Sequence, residues 1–284
     1  MKTRLGIFIV ALLLLLPLAG LFLSGNAWYD FSAGTPPEDG SIPATLRTSI
    51  MLLLYVLLVS HAIKRLSGNM DIQRLVRTGI ASALTGWLLS YLNLFVASWT
   101  VPQNHSIVIQ VLLYTPLFAL LAPAVLVTRE LFSCFPGVLK SLVFSFTLPE
   151  IRRETQLAIL LAVTLFGLSG GAAQPAQLFW LFWMSPLALL MTLQLLWHEN
   201  TLFSGAKSGD WGPVVCSALS GILIGNIAVI TYQSNAYLQI NLPNMMVAQA
   251  GLALFGLLCL QLANVLGESD KSRQLLQEPT VRKI

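Results

Sequence analysis

The chain has 284 residues, 56% of them hydrophobic and only 10% charged. Its mean hydropathy of +0.75 lies outside the range of a water-soluble globular domain, so a soluble core is excluded. The net charge of +4 and pI near 9.1 do not point to nucleic acid, because the basic residues sit in short loops beside apolar stretches, where cytoplasmic Lys and Arg are expected of any membrane protein.

A helix needs about 20 mostly apolar residues to cross the hydrocarbon core, where every backbone N–H and C=O must be satisfied internally. Eight stretches meet or approach that length: Leu5 to Ser24, Ser49 to Ile63, Thr78 to Ser98, Ile107 to Val127, Gln156 to Gly171, Gln177 to Trp197, Gly212 to Tyr232 and Met245 to Leu266. The expected fold is all-α, a polytopic transmembrane bundle of eight spans forming one domain over residues 1–284.

The first stretch follows Lys2 and Arg4 and precedes Gly25 and Ala27, small residues spaced like a signal-cleavage site. Its apolar run is long for a signal and reads as an uncleaved anchor; cleavage would leave seven spans. Residues 25–48, with Pro36, Pro37 and Pro43, read as an irregular outer loop. Trp87 falls near the middle of the third span, where an indole packs between helices or meets a ligand.

The short loop before the fourth span holds His105 within the sequon Asn104–His105–Ser106, too close to the membrane to be used. Residues 128–155 form a cytoplasmic loop. Within it, Leu131, Phe132, Phe135, Val138, Leu139, Leu142, Val143 and Phe146 recur at three-and-four spacing, which predicts an interfacial amphipathic helix over 131–148. That helix either rests on the bilayer or docks a membrane or cytoplasmic protein partner. Counting it as a span would push Arg152 and Arg153 outside.

In the fifth span Gly167, Leu168, Ser169 and Gly170 are similar to the GxSG of rhomboid intramembrane proteases, where the serine is activated by a histidine on another span. The three later spans contain no histidine to serve as that base. The loop after the sixth span, His198 to Trp211, gathers the densest polar chemistry. His198, Glu199, Lys207 and Asp210 are the candidate catalytic residues for an enzyme acting on a lipid-linked substrate at the cytoplasmic face, with glycines that permit close approach. The alternative is a solvated turn.

In the seventh span Ser217, Gly221 and Gly225 recur every four residues, a stripe that lets two helices approach closely. Asn226 beside it is a candidate for substrate binding or for an interhelical hydrogen bond. His61 and His198 fall near the same membrane face, as a haem held between spans would require. Cys134, Cys216 and Cys259 offer no pair to an oxidising compartment. No metal site and no bound cofactor is expected. Residues 267–284 read as a polar cytoplasmic tail.

Starting inside, this topology places fifteen of the sixteen basic residues in the cytoplasm and leaves only Arg47 outside. Both termini are then cytoplasmic, in a cell inner membrane. The eight spans themselves contain no Asp, Glu, Lys or Arg, although ion-coupled carriers usually hold such groups at membrane depth. The expected function is a non-enzymatic component, either permease-like for a neutral or lipid-like solute or an integral subunit of a membrane complex. The lipid-linked enzyme and a haem-bearing electron-transfer subunit are the alternatives.

Overall fold

The computed structural model describes residues 43–67, 71–101, 106–135, 151–199, 201–234 and 236–277; for Ser67, Lys207, Ser208 and residues 268–277 it describes the backbone. The expected first span, Leu5 to Ser24, lies outside the described residues. So do His105 and all but the first five residues of 131–148.

Among the described residues seven helices are long and apolar enough to cross a membrane. They are α1 (Ala44–Ser67), α2 (Ile72–Val96), α3 (Ile107–Ser133), α4 (Arg153–Ala173), α5 (Pro175–Leu196), α6 (Gly212–Gln233) and α7 (Met245–Gln277). Helix α1 starts directly after Pro43, whose carbonyl accepts from the Leu46 and Arg47 N–H groups, so residues 44–48 belong to a helix and not to the outer loop. Asp71 caps α2 by accepting from the Arg74 N–H at 3.0 Å. Pro175 and Pro213 sit in the first turns of α5 and α6, where the missing N–H costs nothing. Helix α7 is 33 residues long, or about 50 Å, so it outruns the hydrocarbon core and continues through part of the stretch read as a tail.

The end of α3 departs from the expected helix over 131–148. Leu131 and Phe132 are buried in the bundle core as the last turn of α3, which runs to Ser133 and stops before Pro136. A proline disfavours the helical conformation in the residue ahead of it and has no N–H to continue the ladder.

Helix α3 is central, packing on α1, α2, α6 and α7, while α7 also packs on α2, α5 and α6. Helix α4 lies against α5 along most of its length. Sequential neighbours run in opposite directions: Ser82 and Trp87 of α2 meet Phe118 and Thr115 of α3, and Arg153 at the start of α4 meets the end of α5. One face of the bundle therefore carries Lys64, Arg65, Arg74, Arg77, Arg129 and Arg153 together with the 198–211 loop. The other carries Arg47 and a two-stranded antiparallel clasp, β1 (Trp99–Thr100) paired with β2 (Gln239–Ile240). There Trp183 stacks on Trp99 at 5.2 Å and donates from Nε1 to the Ser98 hydroxyl at 2.9 Å.

Candidate functional site

The 198–211 loop is folded into the bundle and not merely solvated. Leu202 is 5% exposed and packs with Leu187, Met191, Val214, Leu258 and Leu260, and Ala206 is fully buried in a short 3-10 turn, Gly205–Ser208. Leu202 also donates its backbone N–H to the Gln261 side chain at 3.2 Å.

The four candidate catalytic residues all lie on this loop. His198 is exposed, at a left-handed φ of 62°, and its Nδ1 lies 2.9 Å from the Arg153 guanidinium. The same Nδ1 also lies 3.2 Å from the Leu196 carbonyl, so the ring is held against the end of α5 and the Arg153 side chain. Arg153 also donates to the carbonyls of Leu195 and Leu196, closing the C-terminus of α5, whose last carbonyls lack helical partners. Glu199 donates its backbone N–H to the Gln194 carbonyl at 2.9 Å. Asp210 accepts from the Gly212 N–H at 3.0 Å, an Asx turn that leads into α6. Lys207 lies in the 3-10 turn. No cluster of three or more metal-ligating side chains occurs among the described residues.

Several side-chain amides inside the spans bond across helices. Asn226 Nδ2 donates to Gln249 Oε1, and Gln249 Nε2 donates to Asn226 Oδ1, both at 3.0 Å, a reciprocal amide pair between α6 and α7. Beside it the backbones meet: a Cβ at Gly221 would stand 2.4 Å from the Leu252 oxygen and 2.5 Å from Gly256 Cα, and one at Gly256 would stand 2.2 Å from the Ser217 oxygen. A Cβ at Gly225 would strike Leu252. A second amide pair joins α5 to α7, where Gln261 Nε2 donates to Gln194 Oε1 and both residues are fully buried.

A third contact joins α2 to α3. The Ser82 hydroxyl donates to the Phe118 carbonyl at 2.5 Å and accepts the Ala122 N–H at 3.1 Å, bridging two backbone groups one turn apart on α3. Pro116 and Pro123 flank this point, and Gly79 and Gly86 on the same face of α2 let α3 approach. The cavity here, lined by Ser82, Thr85, Gly86, Ala122 and Cys259, holds about 10 Å³, the space of a single water. Trp87 donates from Nε1 to the Thr115 hydroxyl at 3.0 Å and sits edge-on to Phe118.

Ser169 of the GxSG run bonds back to the Leu165 carbonyl, and Gly167 and Gly171 admit Ser185 and Phe182 of α5. His61 lies on α1, which packs on α3 and α6, whereas His198 follows α5, which packs on α4 and α7. Sequence reasoning singled out Asn226 but passed over Gln194, Gln249, Gln261 and Ser82. Their signal was present, since an amide inside an apolar span needs a partner. No protein-family model, curated protein or solved structure matches the chain.

Proposed function

We propose that this chain is a non-enzymatic integral component of a cell inner membrane, acting as a subunit of a larger membrane complex. The observation that carries the reading is the use of the polar groups at membrane depth. Asn226 with Gln249, and Gln194 with Gln261, bond to each other across helices. Groups that bind a solute or run a reaction would instead face a cavity. The candidate catalytic loop supports the same reading, because His198 is occupied by Arg153 and Asp210 by the start of α6.

In this reading the chain has eight spans, including Leu5 to Ser24, with both termini and the basic face cytoplasmic. The interfacial segment to Leu148 carries the partner contact. The test is release of that partner. Full-length tagged chain is extracted gently from its host with and without Phe135→Asp and Leu139→Asp. One polypeptide retained in fixed ratio by the native chain and lost by the variant supports the reading; identical retention profiles, or no retained polypeptide, overturn it.

A permease-like component for a neutral or lipid-like solute is the second reading, favoured by Pro116 and Pro123 inside α3 on either side of the Ser82 contact. Prolines inside membrane helices mark where transporters hinge. Solute flux into vesicles that contain the purified chain alone would favour it over the subunit.

A further inference from the structure

One ring nitrogen on the basic face lies between a group that can only donate and a group that can only accept. His198 Nδ1 is 2.9 Å from a guanidinium nitrogen of Arg153 and 3.2 Å from the Leu196 carbonyl oxygen. A guanidinium keeps its protons and has no lone pair to offer, and a carbonyl has no hydrogen to give. Nδ1 therefore satisfies one of these neighbours at a time, and whether it carries a hydrogen decides which.

The backbone holds the ring in that position. Past the end of α5 the His198 N–H bonds to the Leu195 carbonyl at 3.2 Å and the Glu199 N–H to the Gln194 carbonyl at 2.9 Å. These are the two bonds of a Schellman motif, with His198 at the left-handed position, φ 62°, that glycine ordinarily fills. Arg153, the first residue of α4, donates to the carbonyls of Leu195 and Leu196. His198 and Arg153 thus compete for one set of helix-end carbonyls, where either cation is favourably placed and two together are not.

We propose that His198 and Arg153 form a pH-sensitive latch between the end of α5 and the start of α4. With the ring neutral and its hydrogen on Nε2, Nδ1 accepts from Arg153 and the latch is closed. A proton taken up from solvent at Nδ1 reverses the bond: Nδ1–H donates to the Leu196 carbonyl, the imidazolium repels the guanidinium beside it, and the start of α4 is released. Imidazole is the side chain that changes charge between about pH 5 and 8, so the latch is closed at the upper end of that range and open at the lower. His198 is exposed, so water reaches it.

The other ionisable side chains on the elements that meet here are Arg152 and Glu154 on α4, both exposed, and Glu199, Lys207 and Asp210 on the loop. Glu199 has a partner of its own, and Asp210 accepts from Gly212. Helix α7 has no charged side chain from Met245 to Gly267, and α2 meets α5 through Phe95 and Phe182, near the opposite face. The cation that the protonated ring confronts is Arg153. The inference stands apart from the subunit reading, because it needs no second polypeptide.

The test uses the full-length chain in neutral detergent, labelled with nitrogen-15 in its histidines and arginines, with NMR spectra recorded at about pH 8 and about pH 5. His198→Asn identifies the ring signal by its loss; asparagine accepts the left-handed conformation, keeps an oxygen for Arg153 and does not titrate. At the higher pH the expected result is a bare Nδ1 and a slowly rotating Arg153 guanidinium, and at the lower pH a hydrogen on Nδ1 and a freely rotating guanidinium. Hydrogen exchange at the amides of Gln156 to Leu160, corrected for the chemical effect of pH, should rise about tenfold on acidification in the native chain and less than about twofold in His198→Asn. Arg153→Gln should exchange fast at both pH values. A hydrogen on Nδ1 at the higher pH, or the same pH response in the native chain and His198→Asn, overturns the latch.

Discussion

The amide pair between α6 and α7 gives a test that can be worked through in energies. Asn226 and Gln249 exchange two hydrogen bonds of 3.0 Å, and Asn226 is 4% exposed. Interhelical hydrogen bonds in membranes contribute about 0.6 kcal/mol on average and up to about 1.7 kcal/mol. Two acting together predict a coupling of about 1 to 2 kcal/mol. Asn226→Ala leaves the Gln249 amide without its partner, and Gln249→Ala does the converse, so each alone costs about 2 kcal/mol once lost packing is included. The double variant then costs little more than either single one. The assay is equilibrium unfolding in mixed micelles, followed by tryptophan fluorescence. A coupling below about 0.3 kcal/mol, within the error of additivity, would refute the argument that this pair holds the helices together.

Three further outcomes follow from the same geometry. Gly221→Ala and Gly256→Ala each place a methyl within 2.6 Å of facing backbone and should cost about 1 to 3 kcal/mol or more, whereas Gly251→Ala, with nothing within 4 Å, should be neutral or slightly stabilising in the same unfolding assay. Ser82→Ala strips the bridge from the Ala122 N–H and the Phe118 carbonyl and should cost about 1 to 3 kcal/mol, with faster hydrogen exchange at Ala122 as the local readout. Asp210→Ala should remove the turn hydrogen bond ahead of α6 at about 0.5 to 1.5 kcal/mol, while His198→Ala and Glu199→Ala leave the complex intact; loss of a cellular function with the complex preserved would instead favour the lipid-linked enzyme.

Hydropathy found the helices because an apolar stretch of membrane length has few other stable uses. Seven of the eight stretches contain helices among the described residues, and their ends fall on two faces, with Lys64, Arg65, Arg74, Arg77, Arg129 and Arg153 on one and Arg47 on the other. The extent of α3 was less legible. Arg129 and Glu130 look like the end of a span, so the helical spacing of Leu131 and Phe132 reads as a new surface helix when it is the buried side of the last turn. The polar contacts were hidden for another reason. A scan for charges passes over glutamines, and nothing local says that Gln194 and Gln261, 67 positions apart, face each other. The Gly221–Gly256 contact was half visible: the four-residue stripe of α6 marks one surface, but its counterpart on α7 is a single glycine. In the 198–211 loop residue types suggested chemistry, whereas the partners of His198 and Asp210 come from the start of α4 and from the backbone of α6, which composition does not reveal.

The measurement that bears most directly on the subunit reading is the native mass of the intact chain, extracted gently and never exposed to a denaturing detergent. The prediction is a particle heavier than the 31.0 kDa chain by the mass of a different polypeptide in fixed ratio. A particle of the chain alone, with or without lipid, would contradict that reading.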